Sequence, residues 1–179
     1  MVVEPAPVLC SFEQPGMFQS RYRVAKMVYL GISGATVCCR SDSADPGWTI
    51  RISDVVLIAE YTTDEGPGDD YFLVFVTREE GELFYSSVTL SASGINPVLE
   101  ELEKQFECSL ELKLASVTHW ASRVLWPPQL AGSEYLEAEA TPPPHGLWGR
   151  LLGKVRTARP AYRVSRRILQ ILSSHPPLD

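Results

Sequence analysis

Few side chains in this sequence have the types and spacing that chemistry needs. They are His119, His145 and His175, the thiols Cys10, Cys38, Cys39 and Cys108, and the carboxylates Asp64, Glu65, Asp69 and Asp70. Nucleophilic catalysis requires a nucleophile, a base within reach and a group that orients the base. His145 and His175 stand beside prolines. His119, next to Trp120, is the candidate base, and Cys108 or Cys10 is the thiol that would have to reach it. No local spacing brings such partners together, and there is no GxSxG elbow. Metal binding finds no HxxxH, HExxH or paired CxxC. The four carboxylates flank Gly66-Pro67-Gly68 and would suit a hard cation, but they do not follow a calcium-loop spacing, so they read as a solvated turn. Phosphate cradling finds neither a Walker motif nor GxGxxG, since the glycines and lysine of residues 147–154 fall inside a helical pattern. The expectation is a non-enzymatic chain with no catalytic residues, no metal and no cofactor.

Charge is the stronger signal. The net charge of −6 divides unevenly along the 179 residues. Residues 1–140 hold nine Lys/Arg against 21 Asp/Glu, a net of −12, whereas residues 141–179 hold seven basic residues against Asp179 alone, a net of +6. Such asymmetry describes an acidic body with a basic arm. Hydrophobic residues make up 45%, enough to build a core. No apolar run approaches the roughly 18–20 residues of a membrane span. Glu4, Pro5 and Pro7 interrupt the apolar start, which lacks a basic flank, so a signal peptide is not expected and the cytoplasm is. Cys38 and Cys39 are adjacent and would point to opposite faces of a strand, which fits structural thiols better than a disulfide framework.

The elements that would position these residues follow from the period of the apolar positions. Residues 1–17, with three prolines, read as an extended leader. Strands are expected over Phe18–Ile32, Ala35–Arg40, Trp48–Ser53, Val55–Tyr61, Tyr71–Thr77 and Leu83–Leu90, separated by turns rich in Gly, Pro and Asp. The period then changes. Ile95, Val98, Leu99, Leu102 and Phe106 recur at helical spacing, with Glu100, Glu101, Glu103 and Lys104 opposite and Pro97 in the first turn. Ser109–Val117 alternates and predicts a strand, and His119–Trp126, stopped by Pro127 and Pro128, predicts a short helix. Residues 18–131 would thus be one α+β domain. Residues 132–145, acidic and then proline-rich, would be a linker, and residues 146–175 a basic amphipathic helical tail. In that tail Trp148, Leu151, Leu152 and Val155 form one stripe and Val164, Ile168, Ile171 and Leu172 another.

The stretches KMVYLGISGATVCCR, WTIRISDVVLIAEY, DYFLVFVT, ELFYSSV and NPVLEELEKQF, within about residues 18–107, resemble bacterial pleckstrin-homology-like domains. The resemblance implies a bent antiparallel sheet of about five to seven strands with one capping helix. It also implies a binding role, since such domains take lipids, peptides or partner proteins.

Two binding classes follow. The favoured one is a protein-binding module, such as an inhibitor, chaperone, adaptor or immunity protein. It would engage a basic partner through an acidic face of Asp64, Glu65, Asp69, Asp70, Glu79 and Glu80, with Trp48 as an aromatic anchor or a core residue. The alternative is a peripheral membrane protein. Leu147 and Trp148 would enter the interface of an anionic bilayer, and Arg150, Lys154, Arg163, Arg166 and Arg167 would meet the headgroups. Nucleic acid is disfavoured, because the acidic body repels phosphate.

Overall fold

The computed structural model describes residues 28–42, 47–63, 70–138 and 162–174. Among the described residues the chain mixes α and β, with antiparallel sheets and two α-helices. Its contacts divide it into two compact units, residues 22–137 with 164–179 and residues 1–21 with 138–163; nearly all the described residues belong to the first.

Strands β1 (Val28–Ser33), β2 (Thr36–Ser41) and β3 (Trp48–Arg51) form a three-stranded meander. Strands β4 (Val55–Thr62), β5 (Tyr71–Glu79), β6 (Glu82–Thr89) and β7 (Ala121–Trp126) form a four-stranded antiparallel sheet in the order β6-β5-β4-β7. Helix α1 (Ile95–Phe106) lies between β6 and β7 in the chain. Two short strands, β8 (Leu136–Ala138) and β9 (Tyr162–Val164), pair with each other, and helix α2 (Arg166–Ser174) follows.

The first core is built from the inward faces of both sheets and the apolar stripe of α1. Leu30, Val37 and Ile50 from one sheet meet Ile58, Leu73, Phe75 and Leu125 from the other. Ile95, Val98, Leu99 and Leu102 bury the helix face that the 3.6-residue period marks. Phe106 extends this contact by stacking on Trp126, with ring centroids 4.4 Å apart. Helix α1 starts close to β1, because Leu30 N–H donates to the Ser93 carbonyl and Ser93 N–H to the Val28 carbonyl, each at 2.9 Å. Gly94, at φ +88°, follows immediately, and a Cβ there would lie 2.1 Å from the Leu30 oxygen. Only glycine supplies both the left-handed backbone and the clearance.

The central strands β4 and β5 are buried on both faces, which explains the nearly unbroken apolar text of β5. Leu57, Ala59, Tyr61, Phe72, Val74 and Val76 alternate away from the first core and are nevertheless buried, with Tyr61 stacked on Phe72. Leu130, Tyr135, Leu136, Ile168 and Leu172 are buried too, and likewise stand apart from the first core. Arg78, which alternation puts on the same face of β5 as Val76, donates a hydrogen bond to the Leu172 carbonyl at the end of α2. Ser165 N–H donates to the Tyr135 carbonyl at 2.9 Å. Helix α2 is therefore docked on its own unit by Ile168 and Leu172, while Arg166 and Arg167 face solvent.

Several expectations are corrected. Residues 121–126 are the strand β7, not a helix. Six residues are too few to hold a helix without packing, and the free edge of β4 offers a ladder, with Glu60 opposite Arg123 and Tyr61 opposite Ser122. Residues 109–117 form no strand. Their alternation does bury Leu110, but the N–H groups of Lys113 and Leu114 bond to the Glu60 carboxylate, not to another strand. Strand β1 is described only from Val28, and residues 18–27 lie outside the described residues. The stretch read as linker from residue 132 is folded as far as Ala138: Gly132 N–H donates to Val124, Val124 N–H to Ser133, and Tyr135 and Leu136 are buried. Val164 belongs to β9, so the apolar stripe of α2 begins at Ile168.

Two stability predictions follow from this packing. Glu60→Ala leaves the Arg123 guanidinium and two backbone donors without their acceptor, and should cost about 3–5 kcal/mol in denaturant unfolding. Ile168→Ala should cost about 2–4 kcal/mol, because α2 docks through only two fully buried side chains. A change below about 0.5 kcal/mol would mean that α2 is not docked in solution.

Candidate interaction surface

The described ionisable side chains include a buried group held by the fold, exposed ion pairs, and exposed carboxylates that form no ion pair with a described residue. Glu60, 0% exposed, is the most buried charge. It sits on β4 with its oxygens ringed by donors: Lys113 N–H at 3.1 Å, Leu114 N–H at 3.4 Å, Arg123 Nη1 at 3.2 Å and the Tyr71 hydroxyl. Arg123 is its direct cross-strand neighbour on β7 and also donates to the Glu111 carbonyl at 3.3 Å. Burial, then the bond to Glu60, pushes the Tyr71 phenol far above its ordinary value, so it stays a donor. Every donor around this carboxylate belongs to the fold. The arrangement is a clamp and does not resemble a base waiting for a substrate.

The thiols are similarly quiet. Burial and the neighbouring Cys38 push Cys39 up to about 11, and burial and Glu103 raise Cys108. A raised thiol is the opposite of an activated nucleophile. Cys38, Cys39 and Cys108 are all free, and Cys10 lies outside the described residues. Cys39 is buried and Cys38 half-buried, as adjacent strand positions require. His119 is exposed in the segment before β7. Among the described residues no three His, Cys, Asp or Glu side chains are grouped to hold a metal ion. Two surface recesses, of about 220 and 280 Å³, fall below the ~300–1,000 Å³ usual for small-molecule pockets.

Exposed carboxylates without an ion pair to a described residue include Glu100 and Glu107 at α1 and a closer-spaced group at the β5–β6 hairpin. Glu79 pairs with Glu82 to close it, and the two residues between, Glu80 at φ +51° and Gly81 at φ +88°, both take left-handed backbone. That is the geometry of a two-residue hairpin turn matching the strand twist. It leaves Glu79, Glu80 and Glu82 exposed within four positions, and none forms an ion pair with a described residue. Glu82 was not among the expected contact residues. Its signal was available, since a carboxylate just after an EEG turn must share the tip.

Of the expected acidic face, the described residues are Asp70, Glu79 and Glu80. Asp70 and Glu79 stand at opposite ends of β5, about 30 Å apart at ~3.3 Å per residue. Thr63 N–H donates to the Asp70 carbonyl at 2.8 Å, closing the base of the other loop, while Asp64, Glu65 and Asp69 lie outside the described residues. Trp48 is half-buried and is no free anchor. Its ring lies 5.7 Å from that of Phe75, and its indole N–H donates to the Ser87 carbonyl at 3.2 Å. Among the described residues the large apolar side chains left exposed are Tyr85, at 40%, and Tyr29, at 53%. The Tyr29 ring lies over Gly31, where a Cβ would come within 2.7 Å of it. Of the tail residues, Leu147, Trp148, Arg150 and Lys154 lie outside the described residues, and Arg163 is half-buried in β9.

No helix among the described residues is long and apolar enough to cross a membrane. Set against known protein families, curated proteins and solved structures, the chain matches none of them.

The thiol chemistry is directly measurable. In the folded state Cys39 should resist alkylation at pH 8 and react fully once the chain is unfolded. Because its folded value is raised from 9.0 to about 11, the stabilisation it lends is complete below pH 9 and is lost as pH rises from there through 11. Rapid labelling of Cys39 at pH 8 without unfolding would contradict its burial.

Proposed function

We propose that this protein is a non-enzymatic binding module that engages a basic protein partner through the acidic tip of its β5–β6 hairpin. The observation that carries the reading is the contrast in how carboxylates are used. Glu60 and Glu103 are spent on the fold, Glu103 accepting from Leu110 N–H at 2.6 Å. Glu101, Glu111 and Asp54 are engaged with Lys104, Lys113 and Arg51. Glu79, Glu80 and Glu82 are presented together on a two-residue turn; Arg78 precedes them but donates to the Leu172 carbonyl, and no ion pair joins the three to a described residue. Like charges held close are unfavourable, and a basic partner relieves them while its approach is steered.

The pleckstrin-homology-like reading belongs to the same proposal. Two antiparallel sheets that share one core with a helix support it, and a binding role goes with it. Inhibitor, chaperone or immunity functions are forms this module would take. The membrane alternative draws less support, because the apolar side chains of α2 are already buried in the protein's own unit. That leaves residues 147–155 to carry it.

Titration with a fluorescent oligolysine peptide tests the assignment. Glu79→Lys/Glu80→Lys should weaken binding about tenfold in low salt, and raising the salt should weaken binding to the unmodified protein. Glu100→Lys/Glu107→Lys, which makes the same change in net charge on α1, should alter it less than about twofold. Equal losses from both pairs would mean that net charge alone, and not the hairpin, attracts the cation.

A further inference from the structure

We infer that the outer edge of β6 takes up an extended segment of the partner as an added antiparallel strand. This rests on the reading of the hairpin tip as a site for a basic protein, and it specifies how the partner is held.

Sheet edges expose unpaired backbone donors and acceptors, and folded proteins usually cover or shorten them. Among the described residues, three of the four edges of the two larger sheets are managed in that way. The edge of β1 is bonded to Ser93 through Leu30 N–H and the Val28 carbonyl. The edge of β7 is bonded to Gly132 and Ser133 through both polar groups of Val124, at 2.9 and 2.8 Å. Strand β3 is only four residues long and ends in the 3₁₀ turn Ile52–Asp54.

Strand β6 is different. It is eight residues long and, among the described residues, pairs on one side only, with β5. The phase of its ladder follows from Leu90 N–H, which donates to the Tyr71 carbonyl at 2.9 Å. Counting back in twos from Leu90, the residues Val88, Ser86, Phe84 and Glu82 bond to β5, whereas Thr89, Ser87, Tyr85 and Leu83 turn their N–H and C=O outward. The Trp48 indole meets the Ser87 carbonyl from that outer side, as this phase requires. It covers the edge there. Toward the hairpin, Leu83 and Tyr85 offer two donors and two acceptors that no described residue takes up, beside the exposed Tyr85 ring and under the acidic tip.

The occupant follows from these groups. An added antiparallel strand places one of its residues opposite Tyr85 and the residue three positions later opposite Glu82. The side chain opposite Tyr85 should be aromatic or β-branched to pack on the ring. The one opposite Glu82 and the next should be Lys or Arg. A second copy of this chain is a poor occupant, because its own β6 brings Glu82 and no cation, and the whole chain carries −6. Main-chain bonds would supply affinity, and the aromatic-to-basic spacing would supply register.

The probe is a labelled peptide of roughly ten residues, alternating threonine and valine, with a central tyrosine and arginines at the third and fourth positions after it. Its counterpart carries glutamates in place of the arginines. The full-length protein is followed by fluorescence anisotropy and by amide hydrogen exchange. The arginine peptide should slow exchange at Leu83 and Tyr85 about tenfold, and the glutamate peptide should not. Tyr85→Pro removes an outward donor and should abolish the protection. Glu79→Lys/Glu82→Lys leaves the backbone intact, so it serves as the second variant should the proline disturb folding, and it should reverse the preference between the peptides. Salt-sensitive binding that leaves Leu83 and Tyr85 exchanging freely would overturn the strand addition while sparing the acidic tip. No binding of the arginine peptide at about 1 mM, where the oligolysine peptide still binds the tip, would overturn it as well. Loss of binding to both probes would remove the tip itself.

Discussion

One carboxylate ties the structure together. Between the end of α1 and the start of β7 the chain must cross the end of a sheet without a strand to pair with. Its backbone donors need acceptors all the same. Glu60 provides them for Lys113 and Leu114, and Arg123 and Tyr71 hold Glu60 in turn. A single side chain thereby joins β4, β5, β7 and the crossover. Burying an ionised carboxylate costs several kcal/mol, and a lone ion pair seldom offsets it. Here four donors share the charge, and hydrogen bonds to charged groups contribute about 1.5–3 kcal/mol each. The clamp is thus sustainable only as a set, which is why its members are drawn from four different segments.

The second organising fact is that strands β4 and β5, at the centre of the four-stranded sheet, have no wet face. One side meets α1 and the three-stranded meander. The other keeps Leu57, Ala59, Val74 and Val76 from water, in company with Tyr135, Leu136 and α2. A sheet of this kind leaves few places for a partner. Its central faces are occupied and two of the described edges are bonded, so recognition is pushed to turns and to whatever edge remains. The hairpin between β5 and β6 is both a turn and the start of such an edge.

Helix α1 was legible because five apolar residues over 12 positions give the helical period time to declare itself. Strand β5 was legible because only a strand buried on both sides reads as a continuous apolar run. Strand β7 was not, since six residues before a proline satisfy either period and the free edge of β4 decides. Residues 109–117 show the limit differently. Their alternation is real, but a side chain supplies the hydrogen bonds, and no pattern of apolar positions records that. Glu60 did leave a trace: it is the one charge inside the run Val55–Tyr61. Such a residue must be either solvent-facing or clamped, and period alone could not choose. The order β6-β5-β4-β7 depends on contacts far apart in the chain, so the placing of Asp70 and Glu79 at opposite ends of β5, and of β6 at an edge among the described strands, were out of reach.

The close approach at Gly94 bears on how this fold drifts over generations. With the Leu30 oxygen 2.1 Å from where a Cβ would stand, position 94 tolerates no side chain unless β1 moves away. Most surface positions here are free to wander, and a distant descendant would keep little of their text. A glycine held just ahead of an amphipathic helix, together with an acidic residue alone in an apolar strand some 34 positions earlier, would survive longer. That sparse pair, more than any continuous stretch, is the mark by which remote kin of this chain would be recognised.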